Sequence, residues 1–192
     1  MIKEIIKDKE LIYDTEKYDV ILVGTSIYCM LTGGFQSKMR FKYPFLEPAN
    51  DKTPYGDRRK LGTRLTFNDS KPIISLMYIC NYPRRNRVSI DYDAFEKCLL
   101  SANGEFSGLS VATTMIGMSN FDGNGDIEKC IELINKNTPN IDITLYDYQQ
   151  KSRIEEQMDY LNKIYKIRKT DKELHKKLYQ KRKTKFKELY LA

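Results

Sequence analysis

This chain of 192 residues contains almost no histidine: His175, in a lysine-rich stretch, is the single one. Zinc sites depend largely on histidine and cysteine ligands, and the Ser-His-Asp hydrolases need a histidine base. The four cysteines stand far apart with no CxxC pair, which is typical of reduced structural thiols. The composition therefore argues against histidine-based zinc sites and triad hydrolases, and it indicates a reducing, cytosol-like compartment.

Long hydrophobic runs are also missing, although apolar residues make up 41% of the chain, enough for a core. No segment approaches the roughly 20 apolar residues of a membrane-spanning helix. The first residues are charged from Lys3 onward, so they lack the pattern of a secretory signal. We therefore expect a cytoplasmic protein that has no membrane partner.

Acidic residues are scarce only toward the C-terminal end. Residues 1–150 hold 19 Lys and Arg against 20 Asp and Glu, whereas residues 151–192 hold 14 against 6. In the second segment Ile154, Met158 and Leu161 recur at helical spacing, with no glycine or proline to interrupt them. We therefore predict two parts, a body over 1–150 and a basic amphipathic helical extension over 151–192.

The basic extension has three interpretations. In the first interpretation it is a helix whose apolar stripe packs on the body, which is the usual structure of such a segment. Alternatively, it binds nucleic acid by neutralising phosphates, with Tyr165, Tyr179 and Phe186 between the basic residues. In the third interpretation it docks on a partner protein. The spacing of the lysines shows no groove-reading pattern, so any contact with nucleic acid should be sequence-independent and salt-sensitive.

Strand-like and helix-like segments alternate along the body. Continuous apolar runs at Tyr18–Val23 and Ile73–Cys80 are typical of buried parallel strands, and Ile127–Asn137 has helical spacing. The polar stretch Pro48–Leu61, with its Arg58-Arg59-Lys60 cluster, is expected to be a solvated surface loop or an edge that meets a polyanion. The alternation predicts a three-layer α/β domain with a largely parallel sheet.

Two glycine-containing loops follow predicted strands. The first runs from Gly24 to Gly33-Gly34, where a helix is expected to begin, and the second runs from Gly117 to Asp126. Glycine allows the backbone to approach an anion closely, and unpaired N–H groups at a helix start face the charge. Because parallel α/β sheets bind ligands beyond the carboxyl ends of their strands, both loops predict a phosphate-binding edge.

The body carries short motifs in a characteristic order: YDVILVG at 18–24, the glycine pair and helix up to Tyr43-Pro44, GDRRKLGT at 56–63, IDYDAF at 90–95, FSG at 106–108, MIG at 115–117, Gly125-Asp126 and Ile141–Tyr146. Over residues 8–148 this order resembles a macrodomain, the fold that binds ADP-ribose. It is most similar to the short bacteriophage and bacterial proteins related to ADP-ribose-1''-phosphate processing proteins. The resemblance implies a three-layer αβα fold with a mixed, largely parallel sheet and no metal or cofactor. For a phage-encoded protein it implies the host cytoplasm or the virion.

The resemblance also implies roles for individual residues. Asp8 stands where the family binds the adenine amino group, and Ser26 stands near a family asparagine that orients the distal ribose. Ser119 replaces the second glycine of the family's diphosphate loop, and its hydroxyl either crowds a phosphate or donates to it. No residue is assigned a catalytic role. The implied ligand-binding residues are Asp8, Gly24, Ser26, Gly33, Gly34, Gly117, Met118, Ser119 and Gly123.

Other side chains near these loops have alternative interpretations. Tyr28 and Phe121 are candidates to stack on a ribose or adenine face. Asp122 and Asp126 bind ribose hydroxyls or, more usually, form a turn and a helix N-cap. Cys29 is a reactive loop thiol or, more usually, a buried structural cysteine.

Two functional hypotheses follow. In the first, the protein binds ADP-ribose or a related nucleotide diphosphate, with or without hydrolysis of an ADP-ribosyl ester or phosphate. The altered loop motifs favour binding over efficient turnover. In the second, the site is degenerate, and the protein acts as a scaffold in a phage particle or host-takeover complex. The basic extension would then bind a protein or a nucleic acid.

Overall fold

A six-stranded mixed sheet forms the centre of the part of the chain that the computed structural model describes, which is residues 1–82, 87–118 and 123–148. The strand order is β1-β6-β5-β2-β4-β3, and every pair is parallel except β3 with β4. The predicted fold class, with its largely parallel sheet, is confirmed. The strands are β1 Ile2–Lys7, β2 Val20–Ser26, β3 Arg64–Phe67, β4 Ile73–Cys80, β5 Ser110–Thr114 and β6 Asp142–Asp147.

Helices cover both faces of the sheet, because successive residues of the buried strands point to opposite sides. Val20 and Leu22 of β2 belong to a core under one pair of helices, and Ile21 and Val23 belong to a second core on the other face. The described part therefore has three layers. The helices are α1 Gly34–Lys42, α2 Leu46–Asp51, α3 Tyr92–Glu105 and α4 Ile127–Asn137. The first core lies under α3 and α4, and the second lies under α1 and α2.

Aspartates begin the two longest helices. The Asp91 carboxylate accepts a hydrogen bond from the Ala94 N–H at 2.9 Å, and Asp126 accepts one from the Lys129 N–H at 2.8 Å. These side chains satisfy N–H groups that have no partner within the helix. The N-cap interpretation of Asp126 is thus confirmed, and α4 has the predicted bounds.

One segment was predicted wrongly. The stretch Pro48–Leu61 is not simply a solvated loop, because its first residues belong to α2 and Arg58–Lys60 forms a 3₁₀ turn. Lys60, at the end of that turn, is buried, with 7% of its surface exposed. The predicted extension over 151–192 lies outside the described residues. Within the described ranges, no helix is both long and apolar enough to cross a membrane.

A buried carboxylate anchors the connection between β1 and β2. Asp14 accepts a hydrogen bond from the Tyr146 hydroxyl at 2.9 Å and pairs with the ammonium groups of Lys9 and Lys17. Hydrogen bonds from these two lysines lower the pKa of Asp14 to about 2. Burial raises the pKa of Tyr146, so this phenol remains a donor to the carboxylate.

Acid titration of this network is expected to destabilise the protein. The Asp14 pKa is lowered from 3.8 to about 2 on folding, so its stabilising contribution is complete above about pH 4. That contribution is lost as the pH falls from about 4 toward about 2. Asp14→Asn should therefore be less stable than the parent at neutral pH, and the difference should shrink across this window. Denaturant unfolding at a series of pH values measures it.

Asp142→Asn is the matched control, because Asp142 is exposed and pairs with Lys3 at the surface. This variant should keep the acid dependence of the parent. A difference between Asp14→Asn and the parent that stays constant through the window would contradict the assignment.

Candidate ligand-binding site

Four neighbouring parallel strands, β1, β6, β5 and β2, end at one edge of the sheet. Asp8 follows β1 directly, and its N–H donates to the Asp147 carbonyl at 3.2 Å. Its φ of 58° is left-handed, a conformation that aspartate and asparagine tolerate better than most residues. The Asp8 carboxylate is therefore placed at the β1 end of this edge by a bend that the backbone requires.

An exposed aromatic ring lies at the same end of the edge. Tyr148 follows β6 and is 41% exposed. The Lys38 ammonium lies 5.7 Å from the centre of its ring and also pairs with Glu10. Sequence reasoning did not single out Tyr148, although an aromatic residue immediately after the last strand was a usable signal. An acceptor and a flat apolar face thus stand together beside β1 and β6.

Ser26 marks the end of β2. The register between β2 and β4 shifts between Thr25 and Ser26, and such a bulge turns the side chains beyond it. The Ser26 hydroxyl is buried and has no hydrogen-bond partner among the described residues. A buried hydroxyl without a partner is costly, so this atom is suited to a bound group or water. Gly24, in contrast, lies inside β2, where Gln36 Nε2 donates to its carbonyl at 2.5 Å.

The start of α1 lies close to the end of β2, because the Gln36 contact ties the first turn of the helix to that strand. Gly33 is the N-cap and Gly34 opens the helix with a left-handed φ of 52°, which favours glycine. No side chain caps this end. Its N–H groups therefore point outward from an uncapped helix start.

The two ends of the edge are far enough apart for an elongated ligand. Asp8 follows β1 and Ser26 is the last residue of β2, and these two strands are three positions apart in the sheet. At ~4.8 Å per strand, this separation amounts to ~14 Å. The edge thus has the Asp8 carboxylate at the β1 end and the Ser26 hydroxyl at the β2 end, where Gln36 also ties the uncapped start of α1.

The second glycine loop closes on itself beyond β5. The Gly125 N–H donates to the Gly117 carbonyl at 2.8 Å, and the Gly123 carbonyl accepts from Ser89 and Ile90 N–H groups. Met118 is partly buried against the core rather than fully exposed at the edge. Ser119 lies outside the described residues, as do Phe121 and Asp122, so the predictions for these three stay predictions.

The glycines of this loop are required by packing. A Cβ at Gly117 would lie 2.6 Å from Ile90 Cδ1, and a Cβ at Gly123 would lie 2.6 Å from Ile90 Cβ. Both residues also have a positive φ, of 78° and 144°. Glycine at these positions is therefore explained by Ile90 and by the shape of the loop, whether or not a ligand is bound.

Solved structures share this arrangement of elements. The macrodomain of Mycobacterium tuberculosis DarG has a TM-score of 0.58 at 17% identity, over 78% of this chain and 99% of that one. A macrodomain protein of Streptomyces coelicolor has a TM-score of 0.54 at 17% identity, over 76% of this chain and 100% of its own. This chain has the macrodomain fold. At these identities, the likeness establishes the fold and confirms the resemblance expected from the motifs.

A third structure carries a ligand. Thermosipho africanus DarTG, solved in complex with ADP-ribose, has a TM-score of 0.58 at 12% identity. The match covers 78% of this chain and 43% of that protein, so the likeness concerns one part of DarTG. No protein-family model matches the sequence, and a comparison with curated proteins finds no match.

Tyrosines cluster beside the β2 end of the macrodomain fold. The Tyr28 ring packs nearly perpendicular to Tyr55 and Tyr82, with ring centres 5.2 and 5.5 Å away. A Cβ at Gly56 would lie 3.1 Å from Tyr28 Cε1, so this glycine makes room for the ring. The prediction that Tyr28 stacks on a ligand stays a prediction, and its described contacts are with other tyrosines.

The buried ammonium of Lys60 holds the loop after β2. It donates to Thr53 Oγ1 at 2.7 Å and to the Ile27 carbonyl at 3.1 Å, and it lies 3.1 Å from Cys29 Sγ. Among the described residues, no carboxylate pairs with Lys60. Its distance of 4.2 Å from the centre of the Tyr78 ring adds a cation–π contact.

Tyr78 and Asn50 extend this cluster. Burial raises the pKa of Tyr78 to about 12, so its hydroxyl keeps its proton and donates to Asn50 Oδ1 at 2.7 Å. The Asn50 amide nitrogen in turn donates to the Cys29 carbonyl at 2.9 Å. Throughout the part of the chain that the structure describes, no group of histidine, cysteine, aspartate and glutamate side chains is placed to hold a metal ion.

Proposed function

We propose that this protein binds ADP-ribose, or a closely related nucleoside diphosphate sugar, along the edge where β1, β6, β5 and β2 end. The observation that carries the proposal is the pairing of two unlike ends on this edge. Asp8 stands at the β1 end with Tyr148 beside it after β6, and the end of β2, to which Gln36 ties the uncapped start of α1, lies three strand spacings or ~14 Å from the end of β1. An extended dinucleotide-like ligand has the same order of groups, a base first and a diphosphate beyond it.

In this proposal the adenine base is bound by one hydrogen-bond acceptor and one aromatic ring. A carboxylate at Asp8 accepts a hydrogen bond from the exocyclic amino group, and a hydrogen bond to a charged acceptor contributes about 1.5–3 kcal/mol. The exposed ring of Tyr148 offers a face on which the base can stack. These two groups together distinguish adenine from a base that carries a carbonyl at the same position.

The diphosphate end relies on backbone rather than on basic side chains. The N–H groups at Gly33 and Gly34 begin α1 without a side-chain cap, and the helix dipole favours negative charge there. The buried hydroxyl of Ser26, which has no hydrogen-bond partner among the described residues, lies at the end of the adjoining strand. The ADP-ribose complex of the DarTG protein, which shares this fold, supports the choice of ligand.

The second part of the proposal concerns hydrolysis of an ADP-ribosyl ester or phosphate. Ser26 has no hydrogen-bonded base among the described residues, which argues against a covalent serine mechanism. Any turnover would therefore come from positioning a water next to a held diphosphate. We infer a binding protein with slow turnover at most, and a product-release assay on ADP-ribosylated substrates tests this part separately.

Titration calorimetry tests the binding proposal. ADP-ribose and its hypoxanthine analogue are each titrated into the parent and into Asp8→Asn. Asp8→Asn keeps a residue that tolerates the left-handed φ of 58°. It should bind ADP-ribose about tenfold more weakly than the parent, because the charged acceptor is lost. The hypoxanthine analogue, which has a carbonyl in place of the amino group, should bind the parent poorly and recover on Asp8→Asn.

Melting curves supply the independent check. Ligand at one hundred times its dissociation constant adds about 2.7 kcal/mol to the free energy of unfolding. A melting temperature that does not change at millimolar ADP-ribose would reject the proposal and favour the scaffold hypothesis. If Asp8→Asn instead loses affinity equally for ADP-ribose and for the hypoxanthine analogue, the adenine lies elsewhere on the edge.

A further inference from the structure

Cys29 differs from the other cysteines in what surrounds its sulfur. It has 7% of its surface exposed, whereas Cys80, Cys98 and Cys130 have none. The Cys29 sulfur lies 3.1 Å from Lys60 Nζ and 3.3 Å from Thr53 Oγ1. Cys98, in contrast, lies 3.2 Å from the Thr63 carbonyl, and burial raises the pKa of its thiol to about 12. Cys29 is therefore the described cysteine most open to a small oxidant.

The backbone keeps the sulfur next to the amine. Cys29 has a left-handed φ of 57°, and its carbonyl is held by the Asn50 side chain. Lys60 is held in turn by its bonds to Thr53 Oγ1 and to the Ile27 carbonyl. The Lys60 nitrogen and the Cys29 sulfur are thus kept in contact by residues from three separate segments of the chain.

We propose that Cys29 is an oxidation site and that Lys60 captures its sulfenic acid as a covalent sulfur–nitrogen link. A sulfenic acid condenses with a neighbouring thiol or nitrogen, and Lys60 Nζ is a nitrogen already in contact with the sulfur. The oxidant is hydrogen peroxide or another small peroxide. The proposal does not depend on ADP-ribose binding.

The reaction proceeds in two steps. Hydrogen peroxide transfers one oxygen to the Cys29 sulfur, which is oxidised to the sulfenic acid, and the other peroxide oxygen leaves as water. The Lys60 ammonium then releases one proton to solvent, and its nitrogen attacks the sulfur. The S–O bond breaks, and the departing hydroxide takes a second proton from the nitrogen to form water. The sum is thiol, ammonium and peroxide to sulfenamide, two waters and one proton.

The link would join the loop after β2 to the turn before β3. It would connect positions 29 and 60 covalently, as a disulfide does, and restrict the unfolded chain in the same way. The oxidised protein should therefore melt at a higher temperature than the reduced protein. A thiol reductant should reverse the change, because thiols cleave sulfur–nitrogen bonds of this kind.

Mild hydrogen peroxide treatment of the folded full chain, followed by intact-mass and peptide mass spectrometry, tests the proposal. The expected product has lost two hydrogens and yields a linked pair of peptides that contain Cys29 and Lys60. Recovery of the original mass with reductant is also expected. A Cys29 that remains a free thiol, or one that accumulates as sulfenic or sulfinic acid without a link, would overturn the proposal.

Lys60→Arg provides the matched variant, because arginine keeps the positive charge but lacks the primary amine. Its Cys29 should form no link and should instead be labelled by dimedone, a reagent for sulfenic acids. Cys98→Ser should form the link as the parent does, whereas Cys29→Ser should not. Equal dimedone labelling of the parent and Lys60→Arg would contradict capture by Lys60. If Lys60→Arg does not fold, the peptide map of the parent decides alone.

Discussion

Gly123→Ala is expected to lower the free energy of unfolding by about 3 kcal/mol, a large effect for a loop residue. Two causes act together. The φ of 144° is one that residues with a side chain rarely adopt, and the new Cβ would lie 2.6 Å from Ile90 Cβ. It would also lie 3.0 Å from Ile90 Cα, so the backbone itself must move. Denaturant unfolding of the variant and the parent measures the loss.

Gly117→Ala distinguishes backbone clashes from side-chain clashes. Here the one close contact of the new Cβ would be with the end of the Ile90 side chain, at 2.6 Å from Cδ1, whereas Cys130 Sγ and Ile79 Cδ1 would lie at an ordinary 3.6 Å. Ile90→Val removes that methyl group, so in a double-mutant cycle it should recover a substantial part of the loss in Gly117→Ala. It should recover little in Gly123→Ala, where the contacts with Cβ and Cα remain. Equal recovery in both cycles would show that the loop adjusts more freely than its contacts indicate.

Gly33→Asp is expected to weaken ADP-ribose binding by roughly 100-fold relative to Gly33→Asn. The two side chains have nearly the same shape, and both are good helix N-caps. The N-cap has a φ of −134°, an extended conformation that either residue adopts. Only the aspartate places a negative charge where the diphosphate is proposed to lie, so the comparison isolates charge from size.

For Gly33→Asp, the stability of α1 should rise while the affinity for ADP-ribose falls. Asp and Asn should both strengthen the start of α1, because glycine is the weaker cap. Calorimetry and melting curves on the same two variants separate the effects. Similar affinities for the two variants would remove α1 from the diphosphate site. Thr32→Glu and Thr32→Gln, at an exposed neighbouring position, repeat the comparison if the buried Gly33 does not accept a side chain.

Local patterning was sufficient for the strands and helices that bury a regular face. The apolar run Ile73–Cys80 and the helix Ile127–Asn137 have the predicted bounds, because each pattern repeats within a few residues. The strand predicted at Tyr18–Val23 instead runs over Val20–Ser26. Its last residues are small or polar, yet pairing with β4 continues past Gly24, which no local pattern reveals.

The candidate site was predictable only in part. The motif order pointed to Asp8, Ser26 and the glycine pair, which the fold places along one edge. Tyr148 was not predicted as a site residue, because its role depends on a nearby Asp8. The two residues come close only because they follow β1 and β6, which are neighbours in the folded sheet. The phosphate-binding role predicted for the glycines of the second loop stays a prediction, and the close approach of Ile90, a residue far along the chain, accounts for the need for glycine there.

The order of apolar and polar residues was enough to predict an α/β fold with a largely parallel sheet, because hydrophobic periodicity depends on residues only a few positions apart. The burial of Lys60, its contact with Cys29 and the buried, unpartnered hydroxyl of Ser26 depended on the folded chain. A charged residue in a polar stretch is normally solvated. Lys60 is buried here because carbonyl, hydroxyl and ring partners from residues 27, 53 and 78 converge on it, and only tertiary packing brings such distant residues together.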